Sequence, residues 1–241
     1  MPKKHRNTIE FTTWGRYALF TDPITRIGGE KCSYHIPTYE ALKGVTKSIY
    51  WKPTIVWHID RVRVMKQIRT QTKGTKPRSF GGGNDLAIYT FLFDVEYQVR
   101  AHFEWNVHRP ELEEDRIEGK HYAIAQRALE KGGRQDIFLG TRDCQAYVEP
   151  TEFGSGTGAY DSVDELGFGL MFHGFDYPDE TGKQELRKRL TRPVMKNGVI
   201  EFEQPENCEI TEFVREMEAK EFNDDKGFRG VEEELAVWEE S

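Results

Sequence analysis

Two long runs of β-prone residues, 54–72 and 86–105, stand on either side of a basic, glycine-rich stretch at 73–85. A connection that short between runs that long forces an antiparallel hairpin. Strands beyond the usual ~3–10 residues outrun the sheet they belong to, so the hairpin is expected to project. In the first run Ile55, Trp57 and Ile59 alternate, and Val62 and Val64 resume after a phase shift, which predicts a β-bulge. The rest of the chain is arranged around this hairpin. Residues 8–20, rich in aromatics and threonine, predict a first strand, ended by Thr21-Asp22-Pro23 and followed by a loop with Gly28-Gly29. Pro37-Thr38 opens a helical pattern with Ala41, Leu42, Val45 and Ile49 on one face, and Lys52-Pro53 ends it. After an acidic stretch at 111–118, Gly119 precedes a second helix over 120–131, with Tyr122, Ala125 and Leu129 inward and Gly132-Gly133 as its stop. A further strand is expected over 143–149. The order βαββαβ is the ferredoxin-like split motif, an α+β fold.

Beyond it, the glycine-rich 151–158 stretch predicts a flexible linker. It divides the chain into a ferredoxin-like domain at 1–153 and a small antiparallel β subdomain with an acidic tail at 154–241. Short strands are expected within 166–177, 187–195 and 199–202, and a helix over 210–221.

The whole chain of 241 residues has a formal charge of -7, which conceals a strong asymmetry. Residues 1–80 carry +11, residues 81–160 carry -6 and residues 161–241 carry -12. A basic N-terminal third on an acidic protein suggests a polyanionic partner, unless the acidic tail folds over it. No apolar run reaches the ~18 residues a membrane span needs, and the basic N-terminus leads into no apolar signal region, so a cytoplasmic protein with no membrane partner is expected. Cys32, Cys144 and Cys208 are odd in number and far apart, which argues against a disulfide framework or a cysteine zinc site. Gly154-Ser155-Gly156-Thr157-Gly158 lacks the Lys-Ser/Thr of a phosphate-binding loop and the context of a dinucleotide fingerprint. His102, Glu104 and His108 could share a strand face and hold a metal, but a solvated polar stripe explains them as well, and no metal or cofactor is expected.

The basic third interleaves cations with flat rings: Trp14, Arg16, Tyr17, Arg26, Lys31, Tyr34, Tyr39, Lys47, Tyr50, Trp51, Lys52 and Trp57. Single-stranded RNA is held by such combinations of phosphate contact and base stacking, whereas any one aromatic here could equally be core. Lys73, Lys76 and Arg78 on the hairpin tip are either edge-protecting charges or a finger for RNA or a protein neighbour. Topology supplies the candidate catalytic set. In a βαββαβ fold the end of the first helix and the start of the second meet at one edge of the sheet. That brings together Tyr50, Lys120 and His121. A helix N-terminus attracts phosphate, a neutral imidazole can act as a base, and an ammonium can stabilise a phosphorane. The alternative is a Lys-His pair that merely solvates the helix start.

The run Phe20-Thr21-Asp22-Pro23, Ser33-Tyr34-His35-Ile36-Pro37-Thr38, and the segment Ser48-Ile49-Tyr50-Trp51-Lys52-Pro53-Thr54-Ile55-Val56-Trp57, resemble the RAMP proteins of CRISPR subtype I-C. So do Gly119-Lys120-His121-Tyr122 and Phe138-Leu139-Gly140-Thr141-Arg142-Asp143. The resemblance covers about residues 8–205 and points to the fifth CRISPR-associated family, in the variant that cuts CRISPR precursor RNA. It implies a RAMP domain acting as an endoribonuclease on repeat hairpins, without a metal and through the RNA's own 2′-OH. Tyr50, Lys120 and His121 match the family's catalytic positions. The implied partners are the repeat RNA, the crRNA 5′ handle and the backbone and large subunits of a type I-C interference complex, with duplex DNA left open. A non-catalytic 5′-handle cap is the rival reading. Where the family often has Arg-Asn-Glu in the hairpin and Cys-Arg-Glu-Phe after the leucine-glycine, this chain has Thr75-Lys76-Pro77-Arg78 and Thr141-Arg142-Asp143-Cys144.

Overall fold

The computed structural model describes residues 7–21, 30–76, 81–83 and 86–219. Its first half runs β1 (Thr8–Ala18), α1 (Tyr39–Ile49), β2 (Ile55–Val64), β3 (Thr70–Thr75), β4 (Ala87–Trp105), α2 (Lys120–Glu130), β5 (Ile137–Phe138) and β6 (Gln145–Pro150). The central strands lie in the order β6-β1-β4-β2 and every pairing is antiparallel, the arrangement of a ferredoxin-like sheet. The expected bulge is present, as a register shift between Ile59 and Arg61 in the pairing of β2 with β4.

Alternation sends one face of the sheet under the helices. Ile9 and Phe11 of β1, Trp57 and Ile59 of β2, and Val99 and Ala101 of β4 are sealed there. Leu42, Val45 and Ile49 of α1 pack onto that layer, as helical spacing predicts. Thr38 caps the helix by accepting from the amide of Ala41 at 3.2 Å, and the chain leaves it in an extended conformation at Tyr50. Gly140 fixes the end of β1. Its φ is +96°, and a Cβ there would stand 2.0 Å from the carbonyl oxygen of Leu19, so only glycine fits.

The single run expected over 54–72 is two strands. β2 stops at Val64, and β3 pairs with the first half of β4, from Thr70↔Leu92 to Thr75↔Ala87. The cause lies in β4, where Asp94 takes a φ of 53° and its carboxylate holds Lys66 at 2.8 Å and Arg69 at 2.7 Å. This kink re-aims the hairpin, and β3 pairs β4 off the main sheet path. Arg78 and the rest of the tip at 77–80 lie outside the described residues, as do Arg26, Asp22-Pro23 and Gly28-Gly29.

Past residue 153 the chain continues as β7 (Leu166–Gly167), β8 (Met171–Asp176), α3 (Pro178–Thr181), β9 (Glu185–Thr191), β10 (Val194–Lys196), β11 (Val199–Glu201) and β12 (Ile210–Glu216). Strands β11, β10 and β7 extend the main sheet from β2, while β12, β9 and β8 form a second sheet. Two expectations are corrected here. The 151–158 stretch is pinned to the sheet rather than loose: Gln98 Nε2 donates to Ser155 O at 2.8 Å, and Arg63 donates to the carbonyls of Ser155 and Gly156 and to Asp161. The helix over 210–221 is instead a strand at 210–216, because β-branched Ile210 and Thr211 find the open edge of β9, with Lys188 and Glu212 paired at 2.7 Å across it.

Helix α1 touches β2 on one side and β8 on the other. Its second face carries Tyr39, Lys43 and Lys47 at four-residue spacing. Tyr39 stacks on His173 at 4.2 Å, and Lys43, itself buried, shares Glu180 with Lys47. Burial opposes ionisation of Glu180, but the two ammonium groups outweigh it and hold the carboxyl at about 2.

Candidate active site at the helix edge

The edge where α1 ends and α2 begins does bring the candidate residues together. Tyr50 is fixed by its backbone, whose carbonyl accepts from Trp57 Nε1 at 2.7 Å. The turn after α2 closes over it. The amide of Arg134 donates to the carbonyls of Ser48 and Ile49, and its guanidinium lies 5.4 Å from the Tyr50 ring centre. Gly119, with φ +76°, supplies the left-handed residue that starts α2 and delivers Lys120 and His121 to the edge.

Tyr50 Oη lies 2.8 Å from His121 Nδ1. The other ring nitrogen, Nε2, lies 2.8 Å from the backbone carbonyl oxygen of Asp115. A carbonyl can only accept, so Nε2 carries a proton in this arrangement, and in the neutral ring the Tyr50 hydroxyl donates to Nδ1. The ring is 1% exposed and is boxed edge-on by Trp105, centre to centre 5.5 Å. Burial, reinforced by the charge of Asp115, raises the pKa of the Tyr50 phenol against the pull of Arg134, so the hydroxyl keeps its proton at neutral pH.

Asp115 is the member of this cluster that the sequence did not reveal, since the 111–118 stretch resembles a solvated acidic loop. It ends a 3₁₀ turn, Pro110–Asp115. Its carboxylate takes Lys120 Nζ on Oδ1 at 2.5 Å and Thr54 Oγ1 on Oδ2 at 2.7 Å, with His121 Nε2 at 3.5 Å. Burial pushes this carboxyl up, but the hydrogen bonds from Lys120 and Thr54 and the charges around it win and hold it below the ordinary carboxylate range. The only linear signal is an aspartate five residues before Lys120.

The remaining cations divide by place. Lys73 and Lys76 line a groove of about 450 Å³ along the hairpin, together with Tyr17, Tyr89 and Phe91, and Lys31 reaches the same place over the Tyr89 ring. There Lys73 Nζ lies 3.5 Å above the Tyr17 ring and Lys31 Nζ 4.9 Å above Tyr89. Lys52 is exposed beside Trp51, which is 47% exposed. Lys47 lies apart, committed to Glu180. Among the aromatics, Tyr39, Tyr50 and Trp57 are core, whereas Trp14, Tyr17 and Trp51 reach the surface. His108 lies past the end of β4 and shares no strand face with His102, whose Nδ1 is 2.7 Å from Asp60 instead.

An antiparallel β6-β1-β4-β2 sheet under two helices, with this edge and a side hairpin, defines a RAMP-like protein of the CRISPR-associated kind. A solved structure of a CRISPR-associated protein is similar to it, with 34% identity, a TM-score of 0.72 and coverage of 86% of this chain and 97% of the other. A functionally uncharacterized protein from Streptococcus mutans is similar too, at 37% identity and a TM-score of 0.71, over 86% and 98% of the two chains. The family model Cas5d, described as a CRISPR-associated protein, matches residues 8–203. The chain belongs to the Cas5d family. A Thermus thermophilus protein named CRISPR pre-crRNA endoribonuclease Cas5d is 27% identical over 188 residues, 74% of this chain and 77% of that one. A Mannheimia succiniciproducens protein of the same name is 41% identical over 66 residues, 27% of this chain and 28% of its own. No described helix is long and apolar enough to cross a membrane.

Proposed function

We propose that this chain is the endoribonuclease that cuts CRISPR repeat hairpins in precursor crRNA, without a metal, and then stays on the 5′ handle as a subunit of a type I-C interference complex. Family membership supports the substrate class. The observation that carries the reading is the convergence of Tyr50, Lys120 and His121 on one edge, with the Tyr50 hydroxyl on the imidazole. The chemistry uses only these groups. The ribose 2′ oxygen attacks phosphorus, the P–O5′ bond breaks, and the products are a 2′,3′-cyclic phosphate and a 5′-hydroxyl. His121 takes the 2′ proton and the resulting imidazolium returns it to the departing 5′ oxygen. Lys120 offsets charge on the phosphorane. A hydroxyl both donates and accepts, so Tyr50 can hold Nδ1 in either protonation state and thereby follow His121 through the cycle. Lys31, Lys73 and Lys76, with Tyr17 and Tyr89, are assigned to RNA binding along the hairpin, and Lys52 with Trp51 to the RNA near the cut.

The burial of His121 favours a second reading, a protein that caps the handle without cutting it. Incubation with its repeat RNA in excess EDTA separates the two. Cleavage is expected to persist, to leave a cyclic phosphate on the upstream fragment, and to stop when the nucleotide before the cut lacks its 2′-OH. Binding with no cleavage in any buffer would establish the cap, and cleavage of the 2′-deoxy substrate would remove the internal nucleophile.

A further inference from the structure

The groups that the proposed cleavage assigns to the RNA phosphate are already occupied by the protein's own carboxylate. Lys120 Nζ and Thr54 Oγ1 both donate to Asp115, and His121 Nε2 donates to its backbone oxygen while its carboxylate stands 3.5 Å away. A carboxylate and a phosphodiester present the same kind of anionic oxygens to such donors, so both cannot fill the site at once. We propose that Asp115 is an internal stand-in for the scissile phosphate: its carboxylate marks the phosphate site, adds Thr54 to Lys120 and His121 as a ligand of the RNA, and must withdraw before RNA is cut. This rests on the cleavage reading for the site and goes beyond it in assigning Thr54 and a displaceable occupant.

Three observations support it. First, the occupied state disables the base. With Nε2–H committed to the Asp115 carbonyl, His121 has no free lone pair facing the edge, and its other nitrogen is taken by Tyr50. Withdrawal of Asp115 frees Nε2, and Tyr50 can then accept from Nδ1–H, leaving Nε2 the basic nitrogen. Second, the segment is built to leave. None of the residues from Pro110 to Asp115 is buried, so the turn is held by polar contacts rather than by core packing. Third, the stretch 111–118 carries Glu111, Glu113, Glu114, Asp115 and Glu118, which repel a polyanion for as long as they remain docked. Departure of this segment is also what would expose the sealed imidazole.

The test measures binding and cleavage separately, with the repeat hairpin RNA carrying a 2′-deoxy nucleotide before the cut as the binding probe. Asp115→Asn keeps the shape and an acceptor for Thr54 but removes the charge. It is expected to tighten binding about tenfold and to raise cleavage at subsaturating RNA. Thr54→Val in the Asp115→Asn background is expected to weaken binding several-fold. A second measurement needs no variant: amide hydrogen exchange across residues 110–118 of the wild-type protein is expected to quicken when the probe RNA binds. Unchanged or weaker RNA binding by Asp115→Asn, or slower exchange over 110–118 on binding, overturns the proposal. Loss of cleavage at unchanged affinity does so as well, making Asp115 a positioning residue while the nuclease reading stands. Tightened binding with no cleavage by any form upholds the stand-in and removes the nuclease.

Discussion

Two histidines are buried against the two ends of the same helix, and only one of them is arranged so that it can change state. His121 meets Tyr50 just past the C-terminus of α1, and His173 stacks on Tyr39 at its N-terminus. Each ring gives Nε2–H to a backbone carbonyl, of Asp115 or of Glu203, and accepts at Nδ1, from Tyr50 or from Arg189. The difference is in the partners. Arg189 can only donate, so His173 must stay neutral with its lone pair on Nδ1. Burial first, and the guanidinium charge second, push its pKa down to about 3. The hydroxyl of Tyr50 can reverse its hydrogen bond, so it can hold Nδ1 of His121 with or without a proton on it. One arrangement locks a helix to a sheet, and the other permits proton transfer.

The largest contrast is expected between His121→Gln and His173→Gln. The first should lower cleavage at least a hundredfold, with repeat-RNA affinity within a few fold. The second should leave cleavage per folded molecule intact but cost roughly 1–3 kcal/mol in denaturant unfolding. If His173→Gln abolished cleavage in a folded protein, the division of labour between the two rings would be wrong.

Next in size is the pH dependence of stability. His173 titrates at about 3 in the fold against 6.5 ordinarily, so the unfolded chain binds the proton first. Its contribution is fully present above about pH 6.5 and is lost as pH falls through about 3. Glu180, at about 2 against 4.5 ordinarily, adds a loss over the window from about 4.5 down to about 2. Melting temperature should therefore fall steadily below pH 6.5. His173→Gln should flatten the upper part of that decline and Glu180→Gln only the lower part. An unchanged profile in both variants would assign the acid sensitivity elsewhere.

The smallest effect sharpens the comparison at the tyrosines. Tyr50→Phe removes the group that holds Nδ1 of His121 and should slow cleavage about tenfold for roughly 1 kcal/mol of stability. Tyr39→Phe keeps the ring stack on His173 and should leave the cleavage rate unaltered. Equal rates for the two variants would mean that the Tyr50 hydroxyl takes no part in the reaction.

Sequence periodicity by itself determined the ferredoxin-like frame, because the alternation of Ile55, Trp57 and Ile59, the helical face of Leu42, Val45 and Ile49, and the stops at Pro53 and Gly132-Gly133 are local facts. Local chemistry needs no partner to be legible. Topology then followed from element order, and with it the meeting of Tyr50, Lys120 and His121. Tertiary structure decided what depends on distant partners: that Asp115 turns inward from an acidic loop to hold Lys120 and Thr54, that Asp94 bends β4 through Lys66 and Arg69, that Arg63 and Gln98 pin the glycine-rich stretch, and that 210–216 is a strand because β9 offers it an edge. In nearly every case a charged, polar or β-branched side chain reaches a partner many residues away; Lys120, five residues from Asp115, is the local exception. Periodicity carries no record of such pairings, since the free energy that selects them arises only after the frame has brought the groups together.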